Sequence, residues 1–385
     1  MLGLSFAAKR DPIAIVDVGS GSAAVGILQL RGNDAAIIHA ATRISLSFEN
    51  RTPDQSVSAV SQAIEEAGKK TLAFYRSLKD HPTPDTLFIF LRTPWSRSKS
   101  AESHQKFEEE TPITDKLISQ LAKQVLAREK EIDTKNLLEA TVMKILLNGY
   151  QVVDPKGKRA HDVSISVLLG DADLKVKASV LNAVKSFLPS HVPQWRTHTR
   201  ATLRILGVSP ENWRDSVVVD VGTEGTNIAV VRKGILCEQQ SFPEGSRSIL
   251  ETISKKGMPE ETLALLSLLD KDDANQANEQ IRTMISQAEP DFIKMFGERF
   301  SALATQGRLP NKLMLVVHPE LASMLSRFLS KIDFAQFTIT NQPFSVLPID
   351  AKHLSRYVVP GNGVTPDPSL SIAAAFVNIE ENERS

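Results

Sequence analysis

The sequence repeats one short pattern at two places about two hundred residues apart. In the first copy, an apolar run ends in Asp17, a turn rich in glycine and serine follows at Gly19 to Ser22, and apolar residues resume from Ala23 to Leu30. In the second copy, Val217 to Val219 leads into Asp220-Val221-Gly222-Thr223-Glu224-Gly225-Thr226 and then into a further apolar run. Apolar runs on both sides of a tight turn predict two β-hairpins, each with an acidic residue at the end of its first strand.

This pattern suits the binding of a polyphosphate. Glycines let backbone N–H groups approach phosphate oxygens closely, hydroxyl side chains add donors, and a carboxylate at a strand end can hold a hydrated magnesium ion. An acid–glycine turn is also simply a stable hairpin, but its repetition favours two hairpins that face each other across a ligand. The sequence has no GxxxxGK[ST] loop, and neither hairpin leads into a helix, so P-loop and dinucleotide-binding folds are disfavoured.

Periodicity predicts the remaining elements. A third strand at Ala35 to Phe48 precedes a helix that ends near Leu78, and the segment from Pro82 to Leu188 indicates a small α+β insertion with its own sheet. The elements predicted there are a strand at Leu87 to Leu91, a polar loop with the run Glu108 to Glu110, a helix capped by Thr114, strands at Met143 to Val153 and Val163 to Leu169, and a helix from Lys175 to Phe187. Those predicted later are helices near Ser246 to Lys255, Pro259 to Leu269, Asn275 to Phe300, Glu320 to Leu329 and Ser369 to Asn378, with a strand at Leu313 to Val317.

Composition excludes several classes of function. Lysine plus arginine (45) equals aspartate plus glutamate (45), so no overall charge attracts nucleic acid or an anionic membrane. The single cysteine, Cys237, excludes an internal disulfide, and we expect it to be buried in a strand. The spacing of His191 and His198 fits no common metal site, and no segment is apolar enough to span a membrane. We therefore expect a cytoplasmic protein without nucleic-acid binding or direct membrane insertion.

On its two hairpins, the sequence resembles the actin-like ATPase superfamily, whose two lobes each carry a phosphate-binding hairpin opened by Asp-x-Gly-[Ser/Thr]. Within it, the likeness is to the branch of PilM, a type IV pilus assembly protein, and FtsA. The insertion falls where that branch carries its SHS2 subdomain, and Thr111-Pro112-Ile113-Thr114-Asp115 resembles the entry to the first helix of that subdomain. Tyr150 to Gly157 and Phe242-Pro243-Glu244-Gly245 resemble further segments of the branch.

The resemblance implies an α/β protein with the two-lobed actin-like (ribonuclease H-like) fold and an inserted small α+β subdomain. It implies a first lobe at residues 11–83, 188–215 and 365–385, an insertion at 84–187, and a second lobe at 216–364 with a helical subdomain near 245–305. It further implies ATP and Mg2+ as ligands, with Asp17 and Asp220 holding the magnesium ion through water. The residues implied to hold the phosphates are Gly19, Ser20, Gly21, Ser22, Gly222, Thr223, Gly225 and Thr226. No residue that positions an attacking water can be named, so we expect at most a slow ATPase.

Two departures from the family pattern concern the nucleotide. The strand at Leu313 to Val317 should be followed by a glycine pair that admits the adenosine, whereas this chain has His318-Pro319-Glu320. A basic residue expected in the helix at Pro259 to Leu269 is also missing. A degenerate actin-like adaptor that no longer binds nucleotide is therefore an open possibility.

The function implied is a cytoplasmic ATP-binding scaffold, peripheral to the inner membrane, whose insertion docks a short segment of an inner-membrane protein in type IV pilus or secretion-type assembly. Self-association into filaments is compatible with this role.

A rival function is that of an FtsA-like cell-division filament protein. Such proteins end in a basic amphipathic helix, whereas this chain ends in Ile379-Glu380-Glu381-Asn382-Glu383-Arg384-Ser385, which predicts no membrane anchor of its own. A sugar kinase of the same superfold would need a catalytic aspartate and a substrate pocket between the lobes, and the position of the insertion disfavours it. The C-terminal residues thus favour pilus assembly over cell division.

Overall fold

A computed structural model describes residues 11–78, 82–208, 213–255, 257–269, 276–331, 335–365 and 367–384. Within these residues the chain forms three β-sheets. The strands of the first sheet are β1 (Ile13–Val18), β2 (Ser22–Arg31), β3 (Asp34–Ser45), β4 (Thr86–Leu91), β9 (Pro193–Thr197) and β15 (Val358–Pro360). They lie in the order β15-β3-β2-β1-β4-β9.

The second sheet repeats the plan of the first. Its strands are β10 (Ser216–Val221), β11 (Thr226–Arg232), β12 (Ile235–Phe242), β13 (Lys312–Val316) and β14 (Ser345–Pro348), in the order β12-β11-β10-β13-β14. In both sheets the first strand pairs antiparallel with the second strand of its hairpin and parallel with a later strand, β4 or β13. The two predicted hairpins are therefore confirmed as β1–β2 and β10–β11.

The third sheet belongs to the insertion. Its strands are β5 (Ser96–Pro112), β6 (Leu137–Leu147), β7 (Tyr150–Gln151) and β8 (Arg159–Ala172), in the order β5-β8-β6-β7. Strand β5 is therefore an edge strand of this sheet, and it pairs with β8.

Helices cover the sheets and enclose the cores. They are α1 (Pro53–Ser77), α2 (Asp115–Arg128), α3 (Leu174–Lys185), α4 (His198–Val208), α5 (Ser246–Ser254), α6 (Pro259–Leu269), α7 (Gln276–Ala304), α8 (Pro319–Lys331) and α9 (Pro368–Glu383). One face of the first sheet packs against α1 and α3, and the other packs against α4 and α9 in a core that also includes Val218, Ala229 and Met314 of the second sheet. Helices α5 to α8 cover the opposite face of the second sheet. None of the described helices is both long and apolar enough to cross a membrane.

Below, the first lobe means the first sheet with α1, α4 and α9, the insertion means the third sheet with α2 and α3, and the second lobe means the second sheet with α5 to α8. The predicted residue boundaries of these units stay predictions.

Local sequence explains where several helices begin. The side chain of Thr114 accepts a hydrogen bond from the backbone N–H of Leu117 at 3.2 Å, so the predicted cap of α2 is confirmed. Helix α1 begins with a capping box, in which Thr52 and Gln55 each bond the other's backbone N–H. The first turn of α9 is capped by Asp367, whose carboxylate accepts from the N–H of Leu370 at 3.0 Å.

Four sequence predictions were wrong. The strand at Leu87 to Leu91, predicted within the insertion, is β4 of the first sheet. The polar segment around Glu108 to Glu110 is not a loop but part of the 17-residue edge strand β5. The buried positions of β5 are occupied by serines and not by apolar residues, so the sequence lacks the apolar–polar alternation that predicts a strand. The single strand predicted at Met143 to Val153 is interrupted by Asn148 and Gly149, whose φ angles of 50° and 83° make a tight turn between β6 and β7. Cys237 lies in a strand as predicted, but it is exposed.

We expect Gly68→Ala to lower the thermal midpoint and Gly207→Ala to leave it unchanged or raise it. A Cβ at Gly68 would lie 2.4 Å from the ring of Phe187, so α1 or the ring must shift, at a cost of about 1–3 kcal/mol. A Cβ at Gly207 in α4 meets no atom within 4 Å, and alanine is the better helix former by roughly 0.5–1 kcal/mol. Equal midpoints for the two variants would contradict the close packing of α1 on the end of α3.

Candidate functional site

The ends of β1 and β10 bring two carboxylates to the boundary between the lobes, and each pairs with an arginine. Asp17 is completely buried, and its Oδ2 lies 2.7 Å from Nη2 of Arg43 on β3. Asp220 is also largely buried and pairs with Arg92, which directly follows β4. Because β4 runs parallel to β1, Arg92 and Asp17 lie at the same end of these two strands.

The beginning of α9 joins this cluster. Arg43 donates from Nε to Asp367 at 2.5 Å and from Nη1 to the hydroxyl of Ser22 at 2.8 Å. Arg92 donates from Nη1 to the hydroxyl of Ser369 at 2.9 Å. The two guanidinium groups therefore connect residues from β1, the first hairpin turn, α9 and the end of β10.

Burial and the neighbouring charges fix the ionisation of these groups. Burial alone would raise the pKa of Asp17, but the guanidinium of Arg43, followed by His198 in its protonated form and the guanidinium of Arg92, lowers it to about 2. Burial opposes the charge of both arginines, yet the carboxylates beside them raise the pKa of Arg43 and of Arg92 above the ordinary value. Asp17, Arg43 and Arg92 are thus charged over the whole physiological range.

His198, at the start of α4, is buried beside the same cluster. Its Nδ1 lies 3.8 Å from a carboxylate oxygen of Asp220, and its Nε2 lies 3.4 Å from the hydroxyl of Ser369. Burial, followed by the charge of Arg92, lowers the pKa of His198 below its usual value. The imidazole is therefore neutral at neutral pH and adds no charge to the site.

The two hairpin turns touch each other across the lobe boundary. A Cβ at Gly21 would lie 1.9 Å from Oγ1 of Thr223, so only a glycine fits against the second turn there. The backbone N–H of Glu224 donates to the hydroxyl of Ser20 at 3.2 Å. The structure thus brings the two predicted turns together, in direct contact with each other.

Several donors predicted to hold phosphates bond within the protein. The N–H groups of Gly19 and Gly222 donate to carbonyls of their own turns at 3.0 and 2.9 Å. The hydroxyl of Thr226 donates to the carbonyl of Glu244 at 2.7 Å. A Cβ at Gly225 would lie 2.9 Å from the carbonyl oxygen of Phe242, so this glycine permits close packing of the chain on itself.

The beginning of α5 also faces the second turn. The N–H of Ser246 donates to the carbonyl of Gly222 at 2.8 Å, and that of Arg247 donates to the carbonyl of Thr223 at 3.2 Å. A Cβ at Gly245 would lie 2.3 Å from the carbonyl oxygen of Thr223. The first N–H groups of this helix, which commonly bind anions, are therefore used to hold the turn.

The residues of this site do not fit a magnesium ion and its nucleotide. Asp17 and Asp220 are each paired with an arginine, and the described residues contain no group of three or more His, Cys, Asp or Glu side chains that could hold a metal. Oδ1 of Asp17 is buried without a hydrogen-bond partner among the described residues, which leaves one acceptor and falls short of a ligand set for magnesium. The assignment of Mg2+ and of the ATP phosphates stays a prediction, and this arrangement does not favour it.

Sequence reasoning missed the side chains that form the cluster around Asp17 and Asp220. These are Arg43, Arg92, His198, Asp367 and Ser369. Among these residues, only Arg92 could have been predicted from the sequence. It directly follows an apolar strand that is parallel to β1, so it lies at the same end of the strands as Asp17. His191, considered together with His198, hydrogen-bonds the carbonyl of Pro84 instead and lies outside the site.

Comparison with known proteins identifies the fold. No protein-family model matches the sequence, and no curated protein matches it as a relative. Among solved structures, a PilM–PilN type IV pilus biogenesis complex is similar over 95% of this chain and 97% of that chain, with 14% identity and a TM-score of 0.55. The chain has an actin-like fold. The predicted fold class is thereby confirmed, and so is the PilM-like similarity.

A second similar structure is the ethanolamine utilization protein EutJ from Carboxydothermus hydrogenoformans. It covers 95% of this chain and 90% of its own, with 14% identity and a TM-score of 0.49. At 14% identity, the likeness to the PilM–PilN complex speaks for the fold and not for the chemistry of the cleft.

We expect the acid stability of the protein to depend on Asp17. Folding lowers the pKa of Asp17 from 3.8 to about 2, so the ionised carboxylate stabilises the fold above about pH 4, and this contribution is lost as the pH falls through 2. The loss should amount to roughly 2–3 kcal/mol. Urea unfolding of the wild type and of Asp17→Asn over this pH range measures it. A pH dependence that is as steep in the variant as in the wild type would contradict the Asp17–Arg43 pair.

Proposed function

We propose that this chain is a scaffold on the cytoplasmic side of the inner membrane that docks a short extended segment of a membrane protein in type IV pilus assembly. The observation that carries the proposal is a cleft of about 550 Å³ between the insertion and the second lobe. The similarity to a PilM–PilN complex supports a PilN-type protein as the partner.

The cleft lies between two sheet edges. On one side is the beginning of β5, at Ser96 to Ser100, and on the other is β12, at Leu236 to Ser241. Among the described strands, β5 pairs with β8 and β12 pairs with β11, so each is the edge strand of its sheet. The outward N–H and C=O groups of an edge strand are a ready template for an added extended segment.

Side chains in the cleft also suit a peptide. The hydroxyl of Ser100 and the amide oxygens of Gln239 and Gln240 are buried and have no hydrogen-bond partner among the described residues. Such groups are costly unless a ligand or water satisfies them. Ile132 and Leu303 add an apolar surface.

The length of β12 sets the size of the segment. Six residues of β12 line the cleft, which at about 3.3 Å per residue corresponds to an extended segment of roughly 20 Å. Docking of this kind uses backbone hydrogen bonds for affinity and the neighbouring side chains for specificity. It requires no nucleotide, so the scaffold role does not depend on whether ATP binds.

The single cysteine provides a direct test, because Cys237 lines the cleft and is exposed. We expect a synthetic peptide from the PilN-type protein of the same organism to bind the wild type, and alkylation of Cys237 with a bulky maleimide to abolish binding. Although Cys237 is accessible to solvent, the surrounding walls of the cleft partly desolvate its thiol and raise the pKa, so alkylation is run at mildly alkaline pH. Fluorescence anisotropy of the labelled peptide measures affinity.

Cys237→Ala is the matched control. It should bind the peptide like the wild type and stay insensitive to maleimide, since no other cysteine occurs in the chain. Equal binding before and after alkylation of the wild type would exclude this cleft as the docking site. Sedimentation of the same samples addresses the FtsA-like alternative, which predicts concentration-dependent filaments.

A further inference from the structure

We propose that Arg43 and Arg92 take the place predicted for the magnesium ion, and that Arg92 holds the two lobes closed without a nucleotide. Both arginines lie at the boundary between the hairpins, and neither lines the cleft at Cys237. The link between the lobes is then made by the protein's own side chains and not by a ligand.

The charges of the cluster support this substitution. Asp17 and Asp220, the two acids predicted to hold a divalent cation, are each neutralised by one guanidinium, so two arginines supply the two positive charges. Asp367 adds a third carboxylate, which Arg43 also binds, and His198 is neutral. Within this cluster the acids outnumber the cations by one, so it offers no net positive charge to a polyphosphate.

The geometry of arginine suits the role. A guanidinium has five donors in a planar fork, remains charged when buried, and can bind several acceptors at once. Arg43 binds Asp17, Ser22 and Asp367 in this way. Arg92 binds Asp220 of the second lobe and Ser369 of the first, so its side chain directly joins the two lobes.

The turns leave no gap for a phosphate in this arrangement. Gly21 lies directly against Thr223, and the amide of Glu224 donates to Ser20 across the boundary. The N–H of Glu224 in the second turn is thus already bonded to the first turn.

A second set of contacts fastens the lobes away from the arginines. The backbone N–H of Phe48 donates to the carboxylate of Glu260 at 2.9 Å, and the Phe48 side chain packs against the core of the second lobe. Arg247 pairs with Glu224 at 2.7 Å and also binds Asn50 of the first lobe. Closure is therefore held at two separate places by protein groups alone.

Hydrogen–deuterium exchange tests the proposal, because the amides of Glu224 and Phe48 are bonded across the lobe boundary. In the wild type without nucleotide we expect both amides to exchange slowly, and millimolar ATP with magnesium to leave their rates unchanged. Calorimetric titration of the wild type with ATP and magnesium should show no binding heat. Arg92→Leu should speed exchange of the Glu224 amide by about tenfold or more, since opening of the lobes then becomes easier.

Arg204→Leu is the matched control. Arg204 pairs with Glu383 of α9 on the surface, so its loss removes an arginine–carboxylate pair without touching the lobe boundary and should leave the Glu224 rate unchanged. Arg92→Lys keeps the charge but loses the planar fork, and it provides an intermediate rate should Arg92→Leu fail to fold.

Three results would overturn the proposal. They are micromolar binding of ATP to the wild type, slower exchange of the Glu224 amide when ATP and magnesium are added, and an Arg92→Lys variant whose Glu224 amide exchanges as slowly as in the wild type. Peptide binding to the cleft at Cys237 is measured separately, so failure of either idea leaves the other intact.

Discussion

The ion pair between Arg92 and Asp220 is a buried contact that directly joins the two lobes. Each partner lies next to the end of a strand, and strand topology alone fixes where it stands, since β4 runs parallel to β1 and β13 runs parallel to β10. Charges buried at such a boundary are costly unless they are paired and hydrogen-bonded. Here both guanidinium groups bind carboxylates and hydroxyls, so the cluster meets this requirement from within the chain.

The cleft at Cys237 depends on the position of the two lobes relative to each other. One wall of the cleft is β5 of the insertion, and the other wall is β12 of the second lobe. Strand β5 begins shortly after Arg92, so the position of Arg92 also places this wall. The angle between the lobes therefore sets the width of the cleft. A rigid boundary keeps the two sheet edges at a constant spacing, and a preformed site loses less entropy on binding than one that must first close.

Whether a feature could be predicted from the sequence depends on how far apart in sequence its interacting residues are. The two hairpins, the helices with apolar residues at helical spacing and the Thr114 cap depend on interactions between residues close in sequence. They were predicted correctly, together with the actin-like fold. The strand β5 was missed because serines fill its inward positions, and the turn at Asn148 and Gly149 was missed because apolar residues flank it closely. The arginines of the site were missed for another reason: Arg43 and Asp367 are 324 positions apart and meet only in the folded chain.

Helix α9 is buried along nearly its whole length in the first lobe, although it lies more than three hundred residues after β1. During synthesis, strands β1 to β4 of the first sheet emerge from the ribosome long before α9, which covers one of the sheet's faces. Until α9 appears, Arg43 lacks Asp367, Arg92 lacks Ser369, and, of α4 and α9, only α4 can cover that face of the sheet. The first lobe therefore begins to emerge before the second lobe but is completed after it. The second lobe can fold before α9 has been synthesised.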